Sequence, residues 1–263
     1  MATTDWDDAY DNFGHIPAAA DYPPRWAAAA AAFRAARRAE IDLAYGDHPR
    51  QRLDLFRPEA APEGLAVFVH GGYWRTNDKS MWSHLAAGAL ARGYAVAIPS
   101  YVLAPEARIS AITRQVAAAV GKAAEMVDGP IRLAGHSAGG HLVTRMLGSD
   151  RTQPQLDGRI RRVVSISGLH DLRPLLNTAM NRDLRLDEGE AAAESPILDA
   201  GHLAVPVTAW VGGDERPAFI DQANWLARAW PEAGAVIDPG RHHFDVIDGL
   251  ADAQSPLVAA LFA

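Results

Sequence analysis

The sequence predicts an α/β fold with a mainly parallel central sheet and helices on both faces. Apolar runs alternate along the chain with amphipathic segments, which is the pattern of βαβ crossovers. Residues 65–69 are continuously apolar, as expected for a strand buried on both faces of a sheet. The length of 263 residues, with 49% hydrophobic residues, suits one large domain. We therefore expect a single domain over residues 1–263.

The predicted elements follow one another in the order that this fold requires. A helical arm is expected over about residues 1–40, with an alanine-rich helix at 25–38 because Ala has the highest helix propensity. Strands at 41–45 and 52–56 form a hairpin. Further strands are expected at 65–69, 94–98, 131–134, 163–166, 206–211 and 235–237, and further helices at 83–91, 109–126, 141–147, 217–230 and 256–261. Residues 171–201 have weak periodicity and many charges, and we interpret them as a small cap segment.

A glycine-flanked serine follows the strand at 131–134, in the sequence Gly135-His136-Ser137-Ala138-Gly139. A serine at a sharp strand-to-helix turn has a strained backbone, and a Cβ two residues before or after it would crowd the turn. The pattern is typical of the nucleophile elbow of the α/β-hydrolase fold. Ser137 is therefore the predicted nucleophile.

A serine hydroxyl needs a base to take its proton, and the base needs a carboxylate to orient it. In the α/β-hydrolase fold the chain order is serine, acid, histidine. The turn after the strand at 206–211 reads Gly212-Gly213-Asp214-Glu215. Counting three residues from Gly212 favours Glu215 as the acid, and Asp214 stays open as the alternative.

The predicted base lies after the last strand, in Arg241-His242-His243-Phe244. An aromatic residue directly after the histidine suits a ring that packs the loop down, which favours His243 over His242. An oxyanion hole is expected from His70-Gly71-Gly72-Tyr73-Trp74, which follows the buried strand at 65–69. The backbone N–H of Ala138, at a helix start, is expected to complete the hole.

These motifs together resemble the kynurenine formamidases (arylformamidases), which are α/β-hydrolases related to the hormone-sensitive-lipase-like esterases. The resemblance covers most of the chain from about Tyr10 onward. Its most specific part is the His-Gly-Gly-Tyr-Trp motif at 70–74, and further matching segments lie at 75–79, 105–109, 112–115, 167–175, 186–188 and 195–196. One position departs from the family, since Ala218 stands before Phe219 where a glutamate is frequent.

The resemblance implies site residues at matching positions. These are the nucleophile Ser137, the acid Glu215, the base His243, and the oxyanion donors Gly72 and Tyr73 with Ala138. It also implies hydrolysis of N-formylkynurenine to kynurenine and formate through an acyl-serine intermediate. The alternative is a carboxylesterase or an amidase of other small acyl substrates, since the fold does not fix the substrate. A hydrolase-fold binding protein without catalysis is disfavoured by the intact serine, acid and histidine set.

Aromatic residues near the motifs are expected to line the substrate pocket. The predicted substrate-binding residues are Trp74, Tyr101, His170 and Phe244, with Tyr73 and Trp82 as further wall candidates. Three arginines are candidates for meeting a substrate carboxylate: Arg75, Arg173 and Arg216.

Composition limits the partners and the chemistry. The formal net charge of −7 argues against nucleic acid or an anionic membrane as the main partner. With no cysteine, the chain offers no disulfide or thiolate nucleophile, and without a His-Glu-x-x-His pattern we expect neither a metal nor a cofactor. The first residues lack a signal-peptide pattern, and no apolar run reaches membrane-spanning length. We expect a cytoplasmic enzyme with a small-molecule substrate, compatible with a homodimer.

Overall fold

Eight strands form one twisted sheet at the centre of the protein. The structure is a computed structural model that describes residues 4–263. The strands are β1 (Ala39–Ala44), β2 (Arg52–Phe56), β3 (Leu65–Val69), β4 (Ala95–Pro99), β5 (Ile131–His136), β6 (Ile160–Ile166), β7 (Val207–Gly212) and β8 (Ala233–Asp238). Their order across the sheet is β1-β2-β4-β3-β5-β6-β7-β8. Strand β2 is antiparallel to its neighbours β1 and β4. The remaining strands, β3 to β8, run parallel to one another. This topology confirms the predicted α/β-hydrolase fold.

The helices alternate with the strands as the apolar periodicity predicts. They are α1 (Trp6–Ala9), α2 (Tyr22–Ala36), α3 (Ala87–Ala91), α4 (Ile109–Met126), α5 (Ala138–Arg145), α6 (Asn181–Leu184), α7 (Glu188–Ala193), α8 (Pro217–Ala229) and α9 (Pro256–Phe262). Helix α2 begins three residues before the predicted start because the pair Pro23-Pro24 fits a first helical turn. The helix predicted at 83–91 is a 3₁₀ turn (Ser83–Ala86) that continues into α3.

Two apolar layers cover the two faces of the sheet. Alternate residues of β3 divide between them: Leu65, Val67 and Val69 face one layer, and Ala66 and Phe68 face the other. The first layer packs under α4, α5 and α8, and the second packs under α2, α3 and α9. Burial on both faces explains why the central strands read as continuous apolar runs.

The parallel strands place their carboxyl ends along one edge of the sheet, where ligands bind in open α/β sheets. The loops after β3, β5, β6, β7 and β8 meet there. Two segments lie over this edge. One is the N-terminal arm with α1, and the other is the segment 171–201, which holds α6, α7 and two 3₁₀ turns. Among residues 4–263, no helix combines the length and the apolar character needed to cross a membrane.

Candidate active site

Ser137 occupies a strained turn between β5 and α5. Its φ is 55° and its ψ is −121°, a combination that non-glycine residues rarely adopt. The backbone N–H of Ser137 donates to the carbonyl of Ile166 on β6 at 2.8 Å, and the carbonyl of Ser137 accepts from the N–H of His141 at 3.2 Å. These contacts hold the strained conformation, which is frequent at functional sites.

The glycines on either side of Ser137 are required by close backbone contacts. A Cβ at Gly135 would lie 2.1 Å from the carbonyl oxygen of Gly139. A Cβ at Gly139 would lie 2.0 Å from the carbonyl oxygen of Val69 on the neighbouring strand β3. A side chain at Gly135 would therefore collide with the first turn of α5, and one at Gly139 would push that turn away from β3. The sheet and the elbow fit together only with glycine there.

Glu215 and His243 form a buried pair on the loops after β7 and β8. The Nδ1 of His243 lies 2.6 Å from Oε2 of Glu215, and the two side chains are 4% and 0% exposed. Because a carboxylate only accepts, Nδ1 of His243 is the donor, and Nε2 is the ring nitrogen that can take a proton. The other oxygen, Oε1, accepts from the backbone N–H of Gly212 at 2.8 Å and from the hydroxyl of Ser167 at 2.5 Å. These contacts fix the orientation of the carboxylate.

The neighbouring acid and histidine lie elsewhere. The side chain of Asp214 is exposed, and its backbone N–H donates to the carbonyl of Arg241 at 2.9 Å. The Nδ1 of His242 accepts from the N–H of Phe244 at 3.2 Å, and its Nε2 lies 3.0 Å from the hydroxyl of Tyr22. His242 therefore binds the loop to the N-terminal arm, while His243 faces the carboxylate of Glu215.

The loop after β3 carries three consecutive residues with positive φ: Gly72 (113°), Tyr73 (49°) and Trp74 (55°). A Cβ at Gly72 would lie 2.5 Å from the carbonyl oxygen of Thr76. Within residues 4–263, the backbone N–H groups of Gly72, Tyr73 and Ala138 have no hydrogen-bond acceptor. Unpaired donors beside a strained serine can stabilise a negatively charged oxygen.

A cavity of about 920 Å³ lies above these loops. Its lining includes Gly72, Tyr73, His136, Ser137 and His243. Part of the wall is aromatic, where the rings of Phe13, Trp26, Trp82 and Phe244 contact one another in sequence. The lining also carries charged side chains of both signs, which are Asp7, Asp11, Arg75, Arg182 and Asp183. The volume is that of a small-molecule site.

Comparison with known proteins identifies the family. The profile of the BD-FAE family matches residues 53–222, which is more than half of the chain. The chain belongs to the BD-FAE family. A protein of known structure from Silicibacter sp. TM1040, provisionally described as a thioesterase, is 56% identical; the match covers 99% of this chain and 100% of that one, with a TM-score of 0.97.

Two named enzymes are more distant relatives. A kynurenine formamidase of Danio rerio is 28% identical over 225 residues, covering 81% of this chain and 77% of that protein. An isoprenylcysteine α-carbonyl methylesterase of Arabidopsis thaliana is 27% identical over 241 residues, covering 78% of this chain and 56% of that protein. This BD-FAE family member is therefore a kynurenine formamidase-like α/β-hydrolase, related to esterases.

The cavity wall of this BD-FAE protein differs from the one expected from its sequence. Of the four predicted substrate-binding residues, Phe244 lines the cavity, whereas Trp74, Tyr101 and His170 lie in the core. Trp74 packs edge-on against His141. Tyr101 stacks on His70 and donates to its carbonyl at 2.9 Å.

His170 is buried because its polar atoms are bound inside the protein. Its Nε2 lies 2.9 Å from the hydroxyl of Ser165, and its Nδ1 donates to the carbonyl of Gln222 at 3.0 Å. Burial lowers the pKa of His170 to about 4, so the ring is neutral. Tyr73 and Trp82, the two further wall candidates, do line the cavity.

Of the three candidate arginines, Arg75 alone lines the cavity, where it pairs with Asp183 at 2.7 Å. Arg173 pairs with Asp171 at 2.7 Å, and Arg216 pairs with Asp8 of the N-terminal arm. Sequence reasoning did not select Arg182, which also lines the cavity.

Two contacts of the site involve residues that sequence reasoning did not select. His136 lines the cavity directly beside Ser137, and Ser167 contacts the carboxylate of Glu215. Ser167 comes directly after β6, between the strands that carry Ser137 and Glu215. Its place at the carboxyl edge of the sheet is the signal that could have identified it. No group of three or more His, Asp or Glu side chains between residues 4 and 263 is arranged to hold a metal ion.

Proposed function

We propose that the chain is a serine hydrolase that hydrolyses N-formylkynurenine to kynurenine and formate through a formyl-Ser137 intermediate. The observation that carries this proposal is that His243, which lines the same cavity as Ser137, is held at 2.6 Å by the buried carboxylate of Glu215. An imidazole held by a carboxylate beside a strained serine is the arrangement that activates a serine hydroxyl.

The first half of the reaction forms the acyl-enzyme. The Oγ of Ser137 attacks the formyl carbon while Nε2 of His243 takes the hydroxyl proton as general base. Glu215 holds the imidazole in the required tautomer and stabilises its charged form. The N–H groups of Gly72, Tyr73 and Ala138 donate to the oxyanion, and each such donor contributes about 2.7–4 kcal/mol to transition-state stabilisation.

The second half releases both products. His243 donates its proton to the aryl nitrogen, the C–N bond breaks, and kynurenine leaves as the free amine. A water molecule then attacks the formyl ester while His243 again acts as general base. Formate leaves as Ser137 recovers its proton from His243. The cycle consumes one water and needs no further reactant.

Two observations support an arylformamide as substrate. Relatives named kynurenine formamidase match about four fifths of this chain at 28% and 26% identity. The formyl group needs little room beside Ser137, so that most of the 920 Å³ cavity is open to the aryl amine. The aromatic part of the wall, with Trp26, Trp82 and Phe244, suits stacking of a flat ring.

A second candidate is a carboxylesterase of other small acyl substrates. The relative from Arabidopsis thaliana is named a methylesterase, and the 56% identical protein from Silicibacter sp. TM1040 carries a provisional thioesterase description. An ester and a formamide use the same nucleophile, base and oxyanion donors, so the triad does not separate the two candidates.

Two measurements on the purified chain test the proposal. Turnover of N-formylkynurenine is compared with that of p-nitrophenyl acetate, and a serine-reactive phosphonate reports whether Ser137 is activated. We expect formamide cleavage with a higher kcat/KM than ester cleavage. Ser137→Ala, the control, should lose about 10⁴-fold in kcat. Ester cleavage without formamide cleavage would favour the second candidate, and absence of labelling at Ser137 would reject both.

A further inference from the structure

The strained loop that presents the oxyanion donors contains two bulky residues in the left-handed region. Tyr73 has a φ of 49° and Trp74 a φ of 55°. Side chains with a Cβ avoid this region because the Cβ approaches the following carbonyl oxygen. Such a conformation persists only where surrounding contacts hold it. Trp74 is held by complete burial and by its carbonyl, which accepts from the N–H of Ala104 at 2.8 Å.

The side chain of Tyr73 is held by a different part of the chain. Its hydroxyl donates to the carbonyl oxygen of Tyr10 at 2.5 Å and accepts from Nδ2 of Asn12 at 3.4 Å. Burial raises the pKa of Tyr73 well above its ordinary value, so the hydroxyl keeps the proton that it donates. Within residues 4–263 the hydroxyl has no other hydrogen-bond partner. Tyr10 and Tyr73 are 63 positions apart in sequence.

The N-terminal arm is itself fixed where it touches Tyr73. Tyr10 is 1% exposed, and its hydroxyl accepts from Nε2 of Gln222 on α8 at 3.0 Å. Its ring lies edge-on against Phe219, with centroids 5.8 Å apart, and Phe219 packs against the ring of His243 at 4.4 Å. Tyr10 therefore connects the loop of the oxyanion donors with the residue that packs against the base.

We propose that Tyr10 and Asn12 of the N-terminal arm position the oxyanion hole by holding the hydroxyl of Tyr73. This inference rests on the proposed function, because it assigns the N–H of Tyr73 to the oxyanion. The φ of Tyr73 relates the direction of its N–H to that of its side chain. Hydrogen bonds that fix the hydroxyl at the end of that side chain therefore help to fix the N–H. Tyr10 and Asn12 are positioning residues, since they act through Tyr73.

The test is Tyr73→Phe, which removes the hydroxyl and keeps the ring. We expect kcat to fall roughly tenfold to a hundredfold on both N-formylkynurenine and p-nitrophenyl acetate, because a misplacement of about 1 Å has effects of this size. KM and the pH dependence of kcat should stay near those of the parent chain, because the ring of residue 73 still lines the cavity and His243 is unchanged. Phosphonate labelling of Ser137 should slow in parallel, since the phosphonyl oxygen occupies the same hole.

Tyr45→Phe is the matched control. The hydroxyl of Tyr45 also donates to a backbone carbonyl at 2.5 Å, that of Ser100, and Tyr45 does not line the cavity. Both variants should lose similar thermal stability, and only Tyr73→Phe should lose kcat. Asn12→Ala removes the longer of the two hydrogen bonds and should have a smaller effect in the same direction.

The outcomes separate this inference from the proposed function. If the parent chain is active and labelled while Tyr73→Phe keeps its full kcat, the positioning role is wrong and the proposed function stands. If Tyr73→Phe and Tyr45→Phe lose kcat equally, the hydroxyl has only a structural role, which also overturns the inference. If the parent chain cleaves neither substrate and Ser137 is not labelled, both proposals fail together.

Discussion

The Nε2 of His136 donates to the backbone carbonyl of His243 at 2.8 Å, and the two rings lie tilted with centroids 4.7 Å apart. Because a carbonyl only accepts, Nε2 of His136 carries the ring proton. Burial and the neighbouring His243 hold the pKa of His136 well below its ordinary value, so the ring is neutral. The residue before the proposed nucleophile thus fixes the main chain of the proposed base.

His136→Phe should lower kcat roughly fivefold, because a hydrogen bond of about 1 kcal/mol that holds His243 is lost. His136→Gln can still donate an N–H from its amide and should retain more of the activity. The measurement is kcat on p-nitrophenyl acetate, with thermal unfolding as a check on folding. Equal activity of the Phe variant and the parent chain would show that this contact does not position His243.

Glu215→Ala should lose at least about 10³-fold in kcat, because the imidazole would lose the partner that fixes its tautomer. Asp214→Ala is the matched control, since the two carboxylates are adjacent and Asp214 is exposed. It should keep activity near that of the parent chain. A larger loss in Asp214→Ala than in Glu215→Ala would mean that the acid has been assigned to the wrong residue.

Local pattern was sufficient to predict most of the fold. Strand β3 and helix α4 lie at the predicted residues. The short continuous apolar run of β3 is typical of a buried strand, and the long amphipathic pattern of α4 is typical of a helix. The contact between Glu215 and His243 depends on two short loops at the ends of adjacent parallel strands. Such loops leave few positions for each side chain, and counting from the strand end is therefore informative.

The cavity wall could not be predicted in this way, because distant segments form it. Asp11 and Phe13 come from the N-terminal arm and Arg182 from the segment after β6, and no local periodicity brings these segments together. For aromatic residues near the motifs, the sequence does not show whether the ring lines the cavity or lies in the core. Tyr101 and His170 lie in the core because their polar atoms find partners there, the carbonyl of His70 for Tyr101 and Gln222 for His170. Those partners are visible only in three dimensions.

Ser167→Ala should lower both stability and activity. The hydroxyl of Ser167 donates to Oε1 of Glu215 at 2.5 Å in a buried site, and a hydrogen bond to a charged group contributes about 1.5–3 kcal/mol. Without it, the carboxylate can rotate away from His243. We expect a loss of about 1–3 kcal/mol in the free energy of unfolding, measured with urea, and a fall in kcat.

Ser165→Ala provides the comparison for that variant. Ser165 is buried on the same strand, and its hydroxyl contacts His170 at 2.9 Å. It should lose similar stability and keep its kcat. If both serine variants have the same kcat as the parent chain, Ser167 does not orient Glu215.

The protein should lose stability as the pH falls from about 6.5 to 5. Burial lowers the pKa of His70 and of His170 to about 4 and that of His141 to about 3, whereas an unfolded histidine titrates near 6.5. Below pH 6.5 the unfolded chain therefore binds more protons than the native one, so acid favours unfolding. Each ring lowers the free energy of unfolding by up to about 1.4 kcal/mol per pH unit, until the pH reaches the pKa of that ring in the native protein.

Thermal midpoints measured between pH 6.5 and 5 should therefore fall steadily. His170→Gln removes one such ring, so its midpoint should depend less steeply on pH. Midpoints that stay constant or rise as the pH falls would show that these imidazoles do not titrate on unfolding as their burial requires.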